Sequence, residues 1–272
     1  MEVQRSIEPP GGDGLVLGRG ARVLLAEDNP VNRKVASRLL EKRGFVVIAV
    51  EDGKQAVDAL GRERFDIILM DVQMPVMDGL TATRTIREHE RTTGSHMPIV
   101  AVTAHAMKGD RERCLEAGMD AYVTKPIDAS ALLAAMEHLL PQREREEIDM
   151  TAPGTTGFDE VLDRESLLER VESDAELLAA LIELYESDSP QMVEELRAQV
   201  AAGDAAALHR TAHKLKGSLL TLSATEASQV ALRLESMGRD GNLAQAADVL
   251  AALESELVKV TQALSALQAS LK

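Results

Sequence analysis

Two rhythms of apolar and polar positions divide this chain. Between Arg22 and Leu140, short apolar runs alternate with stretches of helical period. The runs are RVLLA, FVVIAV, FDIILM, MPIVAVTA and AYVTK, with segments such as NRKVASRLLEKRG and DGKQAVDALGRE between them. Short β-rich runs separated by helices predict βα units on a parallel sheet, about five of them. Gly44, Gly61 and Gly118 fall where helices need to stop. After Asp159 no strand-like run occurs. LLAALIELY, MVEELRAQV, ALHRTAHKLKGSLLTL, ATEASQVALRLESMG and NLAQAADVLAALESELVKVTQALSAL all carry helical period, which predicts a bundle. Asp174, Asp204 and Asn242 are predicted N-caps, and Gly203 and Gly238 predicted helix ends.

Two stretches lack either rhythm. Residues 1–20 are rich in Gly and Pro, and PQREREEIDMTAPGTTGF is charged, then small and polar. The predicted organisation is a linker over residues 1–20, an α/β domain over 21–141, a linker over 142–158 and an all-α domain over 159–272. An opening segment of linker composition reads as a connection to something upstream.

Composition narrows the classes. The chain has 272 residues, a formal net charge of -15 and 2% aromatic residues, with no Trp. That balance argues against nucleic acid, which needs clustered cations and stacking platforms. The single cysteine, Cys114, excludes an internal disulfide framework and fits a reducing compartment. The start has no secretory pattern, and no apolar run approaches the ~20 residues that span a bilayer. A cytoplasmic protein without membrane contact is the expectation.

In an open parallel sheet, ligands bind beyond the C-terminal ends of the strands. The predicted strands deliver Glu27 and Asp28, then Asp71, then Thr103 and Ala104, then Lys125. Three carboxylates, a hydroxyl and an ammonium at one edge suit phosphoryl chemistry. Clustered carboxylates and a backbone carbonyl near Gln73 suit hard Mg²⁺. A carboxylate can itself be the nucleophile, forming an acyl phosphate, and Asp71 on the middle strand is the natural candidate. A hydrolase using an aspartyl phosphate would want a second Asp two residues on, where Gln73 stands instead.

LLAEDNPVNRKVA, ILMDVQMPVMDGL, AVTAHAM and AGMDAYVTKPI, in this order and spacing, closely resemble the response-regulator receiver domain of two-component signalling, over about residues 21–141. The resemblance implies a flavodoxin-like (βα)5 doubly wound sheet. It also implies Asp71 as phosphoacceptor, Glu27, Asp28 and Asp71 as Mg²⁺ ligands with the Gln73 carbonyl, and Lys125 as the phosphoryl partner. Thr103 and Tyr122 would form the switch, and the small Ala104 would leave the phosphoryl group access.

The helical half holds AHKLKGS. On a wheel, Leu208, Ala212, Leu215, Leu219 and Leu222 form an apolar stripe, while His209, His213, Lys216 and Leu220 share the neighbouring one. His213 is therefore expected to be partly exposed, with Lys216 one turn along. A solvated histidine, a metal site with His209 and nucleophilic phosphotransfer all fit this pattern. The stretch resembles the histidine phosphotransfer (HPt) domain, a four-helix bundle, over about residues 158–270. That implies His213 as phosphohistidine, Lys216 as its charge partner and Gly217 as the small residue admitting a partner's surface. One departure is TLSA, where Ser223 stands for the family's glycine; Leu219 and Leu220 are also bulkier than usual.

The joint expectation is a phosphorelay protein. A histidine kinase would load Asp71, and the group would pass to His213 of this or another chain and on to or from another receiver. No Gly-rich ATP-binding region is found, so the chain itself is not expected to use ATP; the domain order is that with which hybrid sensor kinases often end, which leaves a fragment of such a kinase and a stand-alone relay protein as the two readings. The remaining alternative is an interaction module with idle phosphosites.

Overall fold

The computed structural model describes residues 20–103, 108–140 and 161–270, with backbone alone at 108–110 and 270. The predicted linkers at 1–20 and 142–158 lie almost wholly outside these residues, as does Ala104.

Five strands form one parallel sheet: β1 (Arg22–Ala26), β2 (Val46–Val50), β3 (Ile67–Asp71), β4 (Ile99–Thr103) and β5 (Ala121–Thr124). Their order is β2-β1-β3-β4-β5, the flavodoxin-like doubly wound order. The inner strands β3 and β4 are buried along their whole length, whereas the edge strands β2 and β5 are not. This is why the inner runs read as continuously apolar.

Alternation along the strands sorts two cores. Val23, Leu25, Ile67, Leu69, Val100 and Val102 face α1 (Pro30–Glu41) and α5 (Ala129–Glu137). Leu24, Ala26, Ile68, Met70, Ile99 and Ala101 face α2 (Gly53–Leu60), α3 (Gly79–Thr93) and α4 (Lys108–Ala117). A one-residue slip would exchange the two faces.

The C-terminal part comprises the short α6 (Arg164–Arg170) and four long helices: α7 (Ala175–Ala202), α8 (Ala205–Thr221), α9 (Thr225–Asp240) and α10 (Ala246–Ser270). Asp174 and Asp204 cap α7 and α8 as predicted, and Gly203 ends α7 with φ 67°. The other predicted caps are corrected. Asn242 accepts from the Ala244 N–H, in the turn before α10 rather than at its start. Gly238 lies inside α9, which ends instead at Gly241 with φ 70°. Gly238 is small because α8 crosses there: a Cβ would lie 2.5 Å from His209 N and 2.7 Å from Ala205 O.

The two parts pack together. The apolar core on the α1 side of the sheet runs on into the bundle through Leu167, Leu177, Leu178 and Leu181. α1 is the receiving surface, and α7 and α8 lie against it.

Candidate functional site

Each strand of the inner sheet ends on a residue that chemistry can use. Glu27 and Asp28 follow β1, and Asp71 is the last residue of β3. A ligand oxygen from each of these three lies within 4.8 Å of the others. Lys125, just past β5, reaches back into them, with Nζ 2.6 Å from Asp71 Oδ2 and 2.9 Å from Glu27 Oε1. Glu27, Asp71 and Lys125 are almost wholly inaccessible.

The close approach depends on Gly79, the first residue of α3. A Cβ there would collide with the backbone oxygen of Asp71. The Gln73 N–H donates to Asp71 Oδ1 at 3.1 Å, so the loop after β3 wraps the carboxylate. Thr103 is buried at the end of β4. Tyr122 is outside, 40% exposed, with the Arg111 guanidinium 5.7 Å from its ring centroid.

Three carboxylates and one ammonium leave an excess of negative charge in a dry place. Burial, then the neighbouring Glu27, pushes Asp28 up to about 6. Burial pushes Asp71 well above the carboxylate range against the pull of Lys125. Burial alone would lower Lys125, but Asp71 and Glu27 hold it above its ordinary value. Glu27 Oε2 has no hydrogen-bond partner, although it lies in ion-pair range of Lys125 Nζ at 2.7 Å. Three carboxylates crowded within 4.8 Å, with more negative charge than Lys125 can balance, fit a hard divalent cation.

On the bundle side, His213 projects from the middle of α8. Its Nδ1 lies 2.7 Å from Glu235 Oε1, and Lys216 Nζ lies 2.5 Å from Glu235 Oε2. His213 is partly exposed, as its stripe implied. Lys216, one turn along, is buried instead, and the two share an acidic partner, Glu235. That partner comes from α9, which a wheel drawn on α8 alone omits. His209 turns its Nδ1 to the Glu235 backbone carbonyl at 3.1 Å. Burial lowers the His213 pKa, against the pull of Glu235. Glu235 itself would be raised by burial, but its bonds to His213 and Lys216 hold it at about 2.

The carboxylate accepting at Nδ1 fixes the tautomer, so Nε2 keeps its lone pair. A neutral, oriented imidazole is a nucleophile at neutral pH. Sequence reasoning missed Glu235. Its signal was there: Ala227, Ala231, Leu234, Glu235 and Gly238 make one buried stripe of α9, and a carboxylate on such a stripe is rarely unpaired.

The two clusters meet across one crevice. Asp28 and Lys125 stand on one wall, with His213, Lys214, Gly217 and Leu220 on the other. Asn29 Nδ2 donates to Lys214 O at 2.7 Å and to Ser218 Oγ at 2.8 Å. Thr221 Oγ1 donates to Asn32 Oδ1 at 2.6 Å, and Asn32 Nδ2 to Glu27 Oε1 at 3.1 Å. Gly217 makes the approach possible, because a Cβ there would come within 3.2 Å of Asn32 Nδ2 and 3.3 Å of Asn29 Nδ2. Ser223 takes the left-handed conformation at φ 57°, where a glycine would be unstrained. Its Oγ accepts from Arg170 Nη1 at 2.7 Å, and the same nitrogen reaches Leu220 O and Thr221 O at the end of α8.

Residues 23–137 match the family described as the response regulator receiver domain, and residues 180–270 the Hpt domain. The chain joins a receiver domain to an Hpt domain. Sensor protein GacS of Pseudomonas syringae pv. syringae is 38% identical over 226 residues, covering 79% of this chain and 24% of that protein. Hybrid signal transduction histidine kinase I of Dictyostelium discoideum is 53% identical over 116 residues, covering 41% of this chain and 7% of that protein. The chain therefore spans a quarter or less of these relatives. The crystallised receiver domain of sensor histidine kinase PA1611 from Pseudomonas aeruginosa is 46% identical, covers 44% of this chain and 97% of its own, and superposes with a TM-score of 0.41. Among the described residues, no helix is long and apolar enough to cross a membrane.

Proposed function

We propose that this chain is a two-step phosphorelay module in which Asp71 and His213 exchange one phosphoryl group. A histidine kinase loads Asp71, and a further receiver or Hpt domain takes the group from His213 or returns it. The observation that carries this reading is the crevice itself. Asp28 and Lys125, which belong to the acidic cluster, line it together with His213, whose imidazole is braced by Glu235.

Glu27, Asp28 and Asp71, with the Gln73 carbonyl, would hold Mg²⁺, which supplies charge neutralisation at the phosphoryl oxygens when bound. Lys125 pairs with the transferred group. Thr103 hydrogen-bonds it, and Tyr122 turns inward behind Thr103 as the readout. In the second step Nε2 of His213 attacks phosphorus, the P–O bond to Asp71 breaks, and the carboxylate leaves with the electron pair. The Nδ1 proton stays in its bond to Glu235, whose charge steadies the imidazolium. Lys214, close enough to lower Asp28, adds positive charge along the path. Lys216 acts on His213 through Glu235.

The test uses acetyl phosphate, Mg²⁺ and the purified chain, with labelled sites located by mass spectrometry. Wild type is expected to carry phosphate on Asp71 and His213, Asp71→Asn on neither, and His213→Gln on Asp71 alone. A wild type that takes up no phosphate while folded would favour the interaction-module reading.

A further inference from the structure

The hydrogen bonds across the crevice join uncharged groups: Asn29 and Asn32 against Ser218, Thr221 and a backbone carbonyl. At the far end of α1 the interface changes character. Arg38 Nε lies 3.3 Å from Asp174 Oδ2, and Lys42 Nζ lies 3.3 Å from the same oxygen. Lys42 Nζ is also 3.4 Å from Glu172 Oε2, and Arg43 pairs with Glu172 Oε1. Three cations of the receiver thus meet two carboxylates of the turn between α6 and α7. The cluster sits about 15–20 Å along α1 from Asn29, away from the reacting groups.

The turn is shaped to present these acids. Glu172 and Ser173 both take left-handed backbone conformations, at φ 52° and 54°, which L-residues adopt only when their surroundings enforce it. Asp174 serves twice: its Oδ1 caps α7 by accepting from Leu177 N at 3.0 Å, and its Oδ2 takes the two cations. Three cations sharing two carboxylates form a network, which is worth more than isolated surface pairs.

We infer that this ion-pair cluster is a clamp that selects the receiver of the same chain as the phosphotransfer partner of His213. The inference rests on the relay reading above and adds to it which receiver is used and what chooses it. The crevice performs the exchange, whereas the clamp sets the register of α1 on α7 and α8. The covalent link already favours the same-chain receiver by effective concentration, and the clamp adds complementary charge that a receiver lacking the three cations cannot offer. α8 can face one receiver at a time, so onward transfer from His213 requires the clamp to open.

The experiment follows the rate of His213 labelling in the full chain after Asp71 is loaded with acetyl phosphate and Mg²⁺. Four proteins are compared: wild type, Glu172→Lys, Arg43→Glu and the Glu172→Lys/Arg43→Glu swap. In wild type the transfer is expected to be first order and independent of protein concentration. Each single reversal should slow it about tenfold, the swap should recover most of the loss, and Asp71 loading should be unchanged throughout. Raising salt towards 1 M should slow wild type and leave the single reversals little affected. Equal rates in all four proteins, or a wild-type rate that scales with protein concentration, would overturn the clamp and leave the relay standing. Failure of His213 to label in any of them, with Asp71 loaded, would overturn the relay reading, and the clamp with it.

Discussion

At the scale of single residues, the carboxylate of Glu235 connects the most. It is 2% exposed and holds the His213 Nδ1 with one oxygen and the Lys216 ammonium with the other. Removing it has two separable consequences. Glu235→Ala strands a buried ammonium, which should cost about 3–5 kcal/mol of stability and show as a lower Tm of the bundle. Glu235→Gln keeps the shape and much of the hydrogen bonding but removes the charge that raises the His213 pKa. The imidazole pKa, already below the ordinary histidine value through burial, should then fall further, and transfer to His213 should slow as imidazolium stabilisation is lost. A histidine titration by NMR reads the first effect and the labelling assay the second. An unmoved pKa in Glu235→Gln would mean that the carboxylate only packs.

Elements show where reading by pattern succeeds and where it stops. The inner strands were legible because two buried faces leave only apolar residues between their ends, and the chemistry sits on the residue that follows. Glu27, Asp28, Asp71 and Lys125 could therefore be placed at one edge before any distance was known; the structure gathers oxygens of the three acids within 4.8 Å and bonds Lys125 to Asp71 and Glu27. The bundle was less legible. A helical wheel treats one helix as if alone, so Lys216 read as exposed, and Gly238 read as a helix end because glycine most often serves there. Its actual role is contact, which makes a sharp prediction. Gly238→Ala raises helix propensity by about 1 kcal/mol, yet its Cβ would meet backbone atoms of His209 and Ala205, which cannot swing aside. Overpacking of this kind costs about 1–3 kcal/mol. The variant should be destabilised in thermal melts despite the better helix former. It should also transfer phosphate more slowly, since α9 carries Glu235 less than one turn before the clash.

Across the whole molecule, the acids of the receiver act as a pH-dependent load on the fold. Asp28 binds its proton more tightly folded, at about 6, than unfolded, at 3.8, and Asp71 is shifted in the same direction. The stability linked to these protons is complete below the unfolded value and is lost as pH rises through the folded one. Glu235 and Asp174, each held at about 2, run the other way: their contribution is present above the ordinary carboxylate range and lost as pH falls towards 2. The lowered His213 also favours the fold as pH rises through the histidine range. A plain stability curve mixes these opposing slopes, but the difference between melts with and without Mg²⁺ isolates the cluster that would hold the ion. At pH 5 the ion must displace a proton from Asp28, and above pH 7 it meets that site already ionised. The Tm gain from a fixed Mg²⁺ concentration should therefore be small at pH 5 and climb through pH 6, with Asp71, shifted the same way, extending the climb upward. Saturation at a hundred times the dissociation constant adds about 2.7 kcal/mol. Asp28→Asn should flatten the climb, because it removes the carboxylate whose proton competes in that window. A gain equally large at pH 5 and pH 8 would place the ion away from Glu27, Asp28 and Asp71.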